Sequence, residues 1–213
     1  MQDLRVKLEV SGLLLMYVGN LETYQGIDLL LESFALVLKN SDRLDLVIIG
    51  GETSDIQKYQ KKARCLSIAR KVHFLGPKPV ELLAEYLSQA DILVSPRIKG
   101  KNTPMKIYSY LDSGKAILAT ALPTHTQLLD SQIAMLAEPI PEMFSKGMLR
   151  LMEDENLRRK LGTASQKLIE EKFSYAAFCQ RLNGLFDWLQ TEIEQEYNVI
   201  ASKAVGFQKS KVL

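Results

Sequence analysis

Six short apolar runs, each closed by turn residues and followed by a helical pattern, constrain this chain more than any other feature. The runs lie at 13–18, 46–49, 72–75, 92–94, 116–119 and 134–137. They are apolar at nearly every position, as strands covered on both faces must be, whereas a half-exposed strand would alternate. Between them, apolar residues recur at helical spacing. One example is Ile27, Leu30, Leu31, Phe34 and Leu38, and another is Val80, Leu83 and Leu87. Strands alternating with helices imply a mostly parallel sheet with helices on both faces, joined by right-handed crossovers. The expected fold class is therefore α/β, with about six strands.

The stretch 91–120 shows the unit at its clearest. Ile92-Leu93-Val94 ends at Ser95-Pro96, and a basic loop follows with Arg97, Lys99, Lys101, Asn102 and Thr103. Pro104 suits the first turn of a helix, where its missing N–H is no loss. Ser113-Gly114 stops that helix and the next strand begins at Ala116. The basic loop thus sits at the carboxyl end of a strand, where open α/β sheets bind ligands. Gly19 and Gly26, in the loop after the first strand, allow a close approach of backbone to a ligand. Lys99, Lys101 and Lys106 are suited to meeting phosphate, and they are equally compatible with being solvated loop charges.

Several functions are disfavoured. A net charge of +2 on 213 residues argues against a nucleic-acid polymer or an anionic membrane as partner. No apolar run approaches ~18 residues, so no transmembrane segment is expected. Cys65 and Cys179 lie far apart with no metal-ligand spacing, which suits a reducing, cytoplasmic home and no metal. The Gly-x-Gly-x-x-Gly fingerprint of dinucleotide domains is missing after the first strand. His73 alternates with apolar neighbours in a strand, which suits a satisfied, half-buried role. His125 follows the fifth strand and is either a surface residue near a helix start or a ligand contact.

Six short motifs then occur in a telling order: YVGNLETYQGID at 17–28, VIIGGE at 47–52, VHFLGP at 72–77, ADILVSPR at 90–97, NTPMKIYSYLDSGKAILAT at 102–120 and LRRKLG at 157–162. Over roughly residues 12–190 the chain resembles the carboxyl-terminal, nucleotide-sugar-binding domain of the group 1 (RfaG-like) retaining GT-B glycosyltransferases. The resemblance implies a Rossmann-like sheet forming one half of a GT-B fold, and sugar transfer with retention from a nucleotide diphosphate sugar. It also implies metal-independent chemistry without a cofactor, and an acceptor domain that this chain does not contain. The alternatives are a non-catalytic nucleotide-sugar-binding module and a half-protein that pairs with an acceptor-domain chain.

Carried over position by position, the resemblance marks Gly19, Asn20, Gln25, Gly26, Pro77, Lys78, Arg97, Lys101, Asn102, Thr103, Met105, Lys106 and Ser109 as donor-binding. The family's diphosphate-binding arginine and lysine are replaced by Asn20 and Gln25. Its two glutamates, with seven residues between them, are replaced by Lys101 and Ser109. Positive charge for a diphosphate is therefore expected from Lys106 with Lys101 or Lys99. No catalytic residue is assigned. The expected organisation is a lead-in at 1–11, the donor-binding domain at 12–173, a helix at 174–196 crossing to an acceptor domain, and a mobile tail at 197–213.

Overall fold

The structure, a computed structural model, describes residues 3–209. The residues fall into two units, one ending at Ile169 and the other starting at Glu170. The first holds six parallel strands: β1 (Leu13–Val18), β2 (Leu44–Ile49), β3 (Val72–Gly76), β4 (Ile92–Ser95), β5 (Ala116–Thr120) and β6 (Met135–Ala137). Their order across the sheet is β3-β2-β1-β4-β5-β6. The chain thus runs outward one way from β1, returns, and runs outward the other way from β4. The β1/β4 border is the switch point where such sheets form a crevice at the strands' carboxyl ends.

Successive residues of each strand point to opposite faces, and both faces are covered. Leu15, Tyr17, Leu46 and Ile48 pack under α2 (Ile27–Leu38) and α7 (Pro141–Glu153), with Tyr59 and Ala63 of α3 (Thr53–Cys65) beside them. Leu14, Met16, Val47 and Leu93 pack under α4 (Leu83–Ser88) and α5 (Lys106–Asp112), joined by Leu4 of a short α1 (Leu4–Lys7). The strand side chains at 14–17 are wholly buried. Each such burial contributes about 1.5–3 kcal/mol, which is why these runs are apolar at every position.

Element bounds differ from the sequence reading where local cues conflict. α1 lies within the expected lead-in, and Asp91 ties it to the sheet by accepting from Arg5 and from the Leu14 N–H. α3 ends at Cys65, and a short 3₁₀ turn (Ala69–Lys71) leads into β3. Pro104 precedes α5 rather than opening it, and its carbonyl accepts from the Ile107 N–H. A short α6 (Pro123–Thr126) follows β5. α8 (Glu155–Lys172) follows α7.

The second unit contains α9 (Tyr175–Lys209). The apolar period weakens after Tyr197, but the helix runs on to Lys209, well beyond the end expected at 196. A period marks a buried face, and backbone hydrogen bonding continues without one. Of the expected tail, 210–213 lie outside the described residues.

Candidate functional site

The crevice at the β1/β4 border has a definite cause. The two strands pair only at Leu15–Ile92 and Met16–Leu93 and then part. Tyr110 of α5 fills the gap, its phenol oxygen accepting from the Val18 N–H at 2.9 Å and lying 3.5 Å from the Val94 carbonyl. Beyond this plug, the loops after β1 and β4 meet. The Ile98 N–H donates to the Tyr24 carbonyl (3.0 Å), and the Arg97 guanidinium lies over the Tyr24 ring at 5.1 Å. Gly26, with φ of 75°, lets the first loop turn into α2 directly beneath the Pro96 carbonyl.

Lys106 is the central side chain of this junction. Its ammonium reaches back from the start of α5, donates to the buried Gln25 Oε1 at 3.2 Å and sits 3.9 Å from the centre of the Tyr17 ring. It lies so close to Gly19 that a β-carbon there would be 3.0 Å from Nζ. No carboxylate among the described residues forms an ion pair with it. Burial, reinforced by the neighbouring Arg97, pushes this ammonium down to about 7. A desolvated cation with only a neutral amide and an aromatic face beside it favours an anionic ligand.

The structure brings Gly19, Asn20, Gln25, Gly26, Arg97 and Lys106 together. Asn20 Nδ2 turns to Glu22 (3.2 Å), and the Asn20 carbonyl accepts from the Tyr17 hydroxyl (2.6 Å). Pro77 and Lys78 are exposed at the end of β3, the edge strand. Their neighbour Gly76 accepts from the Gly50 N–H, while Gly19 donates to Ile49, so the two segments are linked through the end of β2. Lys101 and Asn102 are exposed at the tip of the basic loop, Thr103 is half-buried and Met105 is 79% exposed. Ser109 lines a separate cleft of about 370 Å³ between α4 and α5, together with Glu81, Leu87 and Asp112. Ser109 stands one helical turn from Lys106 on α5, so the two share a face of that helix.

His125 is neither of the two things the sequence suggested. It is wholly buried. Nε2 pairs with the Ser95 hydroxyl at 2.8 Å, and Nδ1 lies 3.0 Å from both the Thr120 carbonyl and its hydroxyl. The carbonyl can only accept, so Nδ1 carries the proton and Nε2 accepts from Ser95. With Thr124 donating to the Asn102 carbonyl and Gln127 to the Lys101 carbonyl, α6 and its flanks anchor the basic loop from below. His73 has the satisfied role expected, pairing with the buried Asp45 at 2.9 Å.

Burial holds His125 down to about 4. An unfolded histidine titrates near 6.5, so between these values the unfolded chain binds the extra proton. The contribution to stability is present above about 6.5 and is lost as pH falls toward 4. Urea unfolding of the wild type should show this acid-side slope, and His125→Gln should flatten it while lowering stability at pH 7 by about 1–3 kcal/mol. An unchanged slope would assign the proton uptake elsewhere.

The sequence model of the Glycosyl transferases group 1 family matches residues 5–168. The chain belongs to the group 1 glycosyltransferases. It is similar to the D-inositol 3-phosphate glycosyltransferase of Corynebacterium diphtheriae, with 23% identity over 176 residues, which cover 80% of this chain and 41% of that protein. In structure this group 1 member resembles HepE of Anabaena, solved in complex with UDP-glucose. The TM-score is 0.76 at 15% identity, over 86% of this chain and 51% of HepE. It also resembles the carboxyl-terminal domain of the group 1 protein LpcC from Francisella tularensis. There the TM-score is 0.70 at 18% identity, over 80% of this chain and 91% of that domain. The chain thus spans about two-fifths to a half of the length of the first two of these proteins and 91% of the LpcC domain.

Tyr17 and Tyr110 were not singled out in the sequence, because aromatics at strand and helix spacing read as core. Both are wholly buried, yet each also shapes the site, one as the face beneath an ammonium and the other as the plug between strands.

Proposed function

We propose that this chain is the donor-binding part of a sugar transferase, taking a nucleotide diphosphate sugar and presenting its anomeric carbon, with retention, to an acceptor held elsewhere. The observation that carries this reading is the Lys106 ammonium at the β1/β4 switch point, which meets no carboxylate among the described residues. The family's lysine stands where Gln25 is, yet the amide of Gln25 touches the ammonium of Lys106. The cation is supplied from α5 instead of from the first loop, at nearly the same place. HepE's UDP-glucose complex supports the ligand class.

In this reading Lys106 and Arg97 neutralise the diphosphate as negative charge grows on it during departure. The glycine backbone at Gly19 lets the phosphates approach. The nucleoside lies along α5 toward Ser109 and the segment at Pro77 and Lys78. Ser109 supplies one hydroxyl where the family has a carboxylate, which weakens the ribose contact by roughly 1–1.5 kcal/mol, the difference between a charged and a neutral hydrogen bond. Lys101 stands where the other carboxylate would be. These two replacements favour a second reading, a module that binds the donor without turning it over.

Calorimetry with a panel of nucleotide diphosphate sugars, UDP-glucose included, tests binding; failure of every member at millimolar concentration overturns the proposal. Transfer by this chain alone is expected to be undetectable, since alignment of two reactants supplies much of the catalysis and only one is held here. Sugar transfer by the purified chain, with contaminating enzyme excluded, would contradict that. Slow donor hydrolysis after addition of an acceptor domain distinguishes the transferase from the silent module.

A further inference from the structure

In the loop from Arg97 to Lys106 most acceptors are engaged while the donors are free. The Arg97 carbonyl accepts from the Thr120 hydroxyl at 2.6 Å and the Lys99 carbonyl from Arg97 Nε at 2.8 Å. The Lys101 carbonyl accepts from Gln127 and the Asn102 carbonyl from Thr124, each at 2.7 Å. By contrast, the backbone N–H groups from Lys99 to Thr103 meet no acceptor among the described residues. Lys99 and Lys101 are exposed, and neither forms an ion pair with a described carboxylate. Gly100, at φ of 143°, fits against the Arg97 guanidinium, where a β-carbon would come within 2.5 Å. The loop thus closes on its own arginine, with its carbonyls tied beneath it.

Such a surface discriminates between ligands. A sugar hydroxyl donates as well as accepts, whereas a carboxylate only accepts. Runs of free backbone N–H groups are a recurrent receptor for anions. The charges agree. The loops flanking the crevice, 19–26 and 97–106, hold Arg97, Lys99, Lys101 and Lys106 against a single acid, Glu22. Lys106 and Arg97 match a diphosphate, which has one negative charge on each phosphate. Glu22 already accepts from the Asn20 amide. Lys99 and Lys101 therefore remain as positive charge beyond what the diphosphate requires.

We propose that the sugar of the donor is itself acidic, a nucleotide diphosphate uronic acid whose carboxylate is received by Lys99, Lys101 and the free N–H groups of the loop tip. This rests on the reading of the crevice as a donor site. The loop starts at Arg97 and ends at Lys106, the two cations assigned to the diphosphate, so its tip borders the next group along, the sugar.

Calorimetry on the full chain with two matched pairs tests this: UDP-glucose against UDP-glucuronic acid, and GDP-mannose against GDP-mannuronic acid. In the pair that binds, the acid should bind about five- to tenfold tighter at low salt, since exposed ammoniums contribute less than buried ones. Raising the salt should shrink that ratio. Lys99→Ala combined with Lys101→Ala should cut it below about twofold, and Lys101→Glu should turn it in favour of the neutral sugar. Equal affinity within the pair, or a ratio that survives in the double variant, would overturn the proposal and leave the donor site standing. So would free glucuronate or inorganic phosphate binding beside saturating nucleotide with no preference within the pair, which places the anion on the acceptor. Failure of UDP, GDP and all four sugars to bind would overturn the donor site and the proposal together.

Discussion

Lys106→Ala is expected to weaken binding of a nucleotide diphosphate sugar by about ten- to a hundredfold, the scale of one lost charged hydrogen bond of about 1.5–3 kcal/mol. The cause is local. Asn20 and Gln25 are neutral, Lys101 is exposed at the loop tip, and Arg97 is held by the Lys99 carbonyl at 2.8 Å and stacked on Tyr24. Lys106 is thus the cation best placed beside Gly19 to meet a diphosphate.

The pH dependence follows from the same residue. The diphosphate of a nucleotide sugar keeps its charge across neutral pH, whereas the free Lys106 ammonium titrates near 7. Binding an anion raises that value, so affinity is full below about 7. It should fall as pH rises, by up to about tenfold per pH unit while one proton is taken up on binding. The fold responds in the opposite sense. Lys106 titrates below an unfolded lysine at about 10.4, so the cost of holding its charge is fully present below about 7 and is relieved as pH rises. Lys106→Met should therefore raise the melting temperature at pH 7 while removing the pH dependence of binding. Calorimetry at pH 6, 7 and 8 with both variants decides, and unchanged affinity in Lys106→Ala would place the diphosphate elsewhere.

Gly26→Ala is expected to cost about 2–4 kcal/mol of stability and to abolish ligand binding. At φ of 75° an alanine is already strained by about 1–2 kcal/mol. Its β-carbon would stand 2.0 Å from the Pro96 carbonyl oxygen, so one loop must move. Moving it breaks the Ile98–Tyr24 backbone bond, which joins the two halves of the site, and draws Gln25 away from Lys106. Urea unfolding and calorimetry measure the two losses. If stability fell while affinity stayed intact, the first loop would not be part of the site. Gly184→Ala provides the control, because nothing lies within 4 Å of an added β-carbon there.

The α/β architecture and the order of its strands along the chain could be read directly from the sequence. A strand covered on both faces has to be apolar throughout, and a crossover helix has to show its buried stripe. Both patterns are local, so 13–18 and 116–119 stand out without knowledge of their neighbours. The loops at the strands' carboxyl ends follow from the same reading, because parallel strands share one edge. Gly19, Gly26, Arg97 and Lys106 were named on that basis and on the family's motif order.

Only the tertiary structure decided what these residues do to each other. Gln25 and Lys106 are some eighty residues apart, and nothing local to either signals that an amide here meets an ammonium there. Tyr110 looks like any core aromatic until the parting of β1 and β4 leaves the Val18 N–H in need of an acceptor. His125 reads as a loop residue until Ser95 and Thr120, from adjacent strands, close on both ring nitrogens. Periodicity reports whether a side chain is covered, because burial favours one chemical class over another. Which group covers it depends on long-range pairing, and many sequences satisfy the same pattern while differing in that choice.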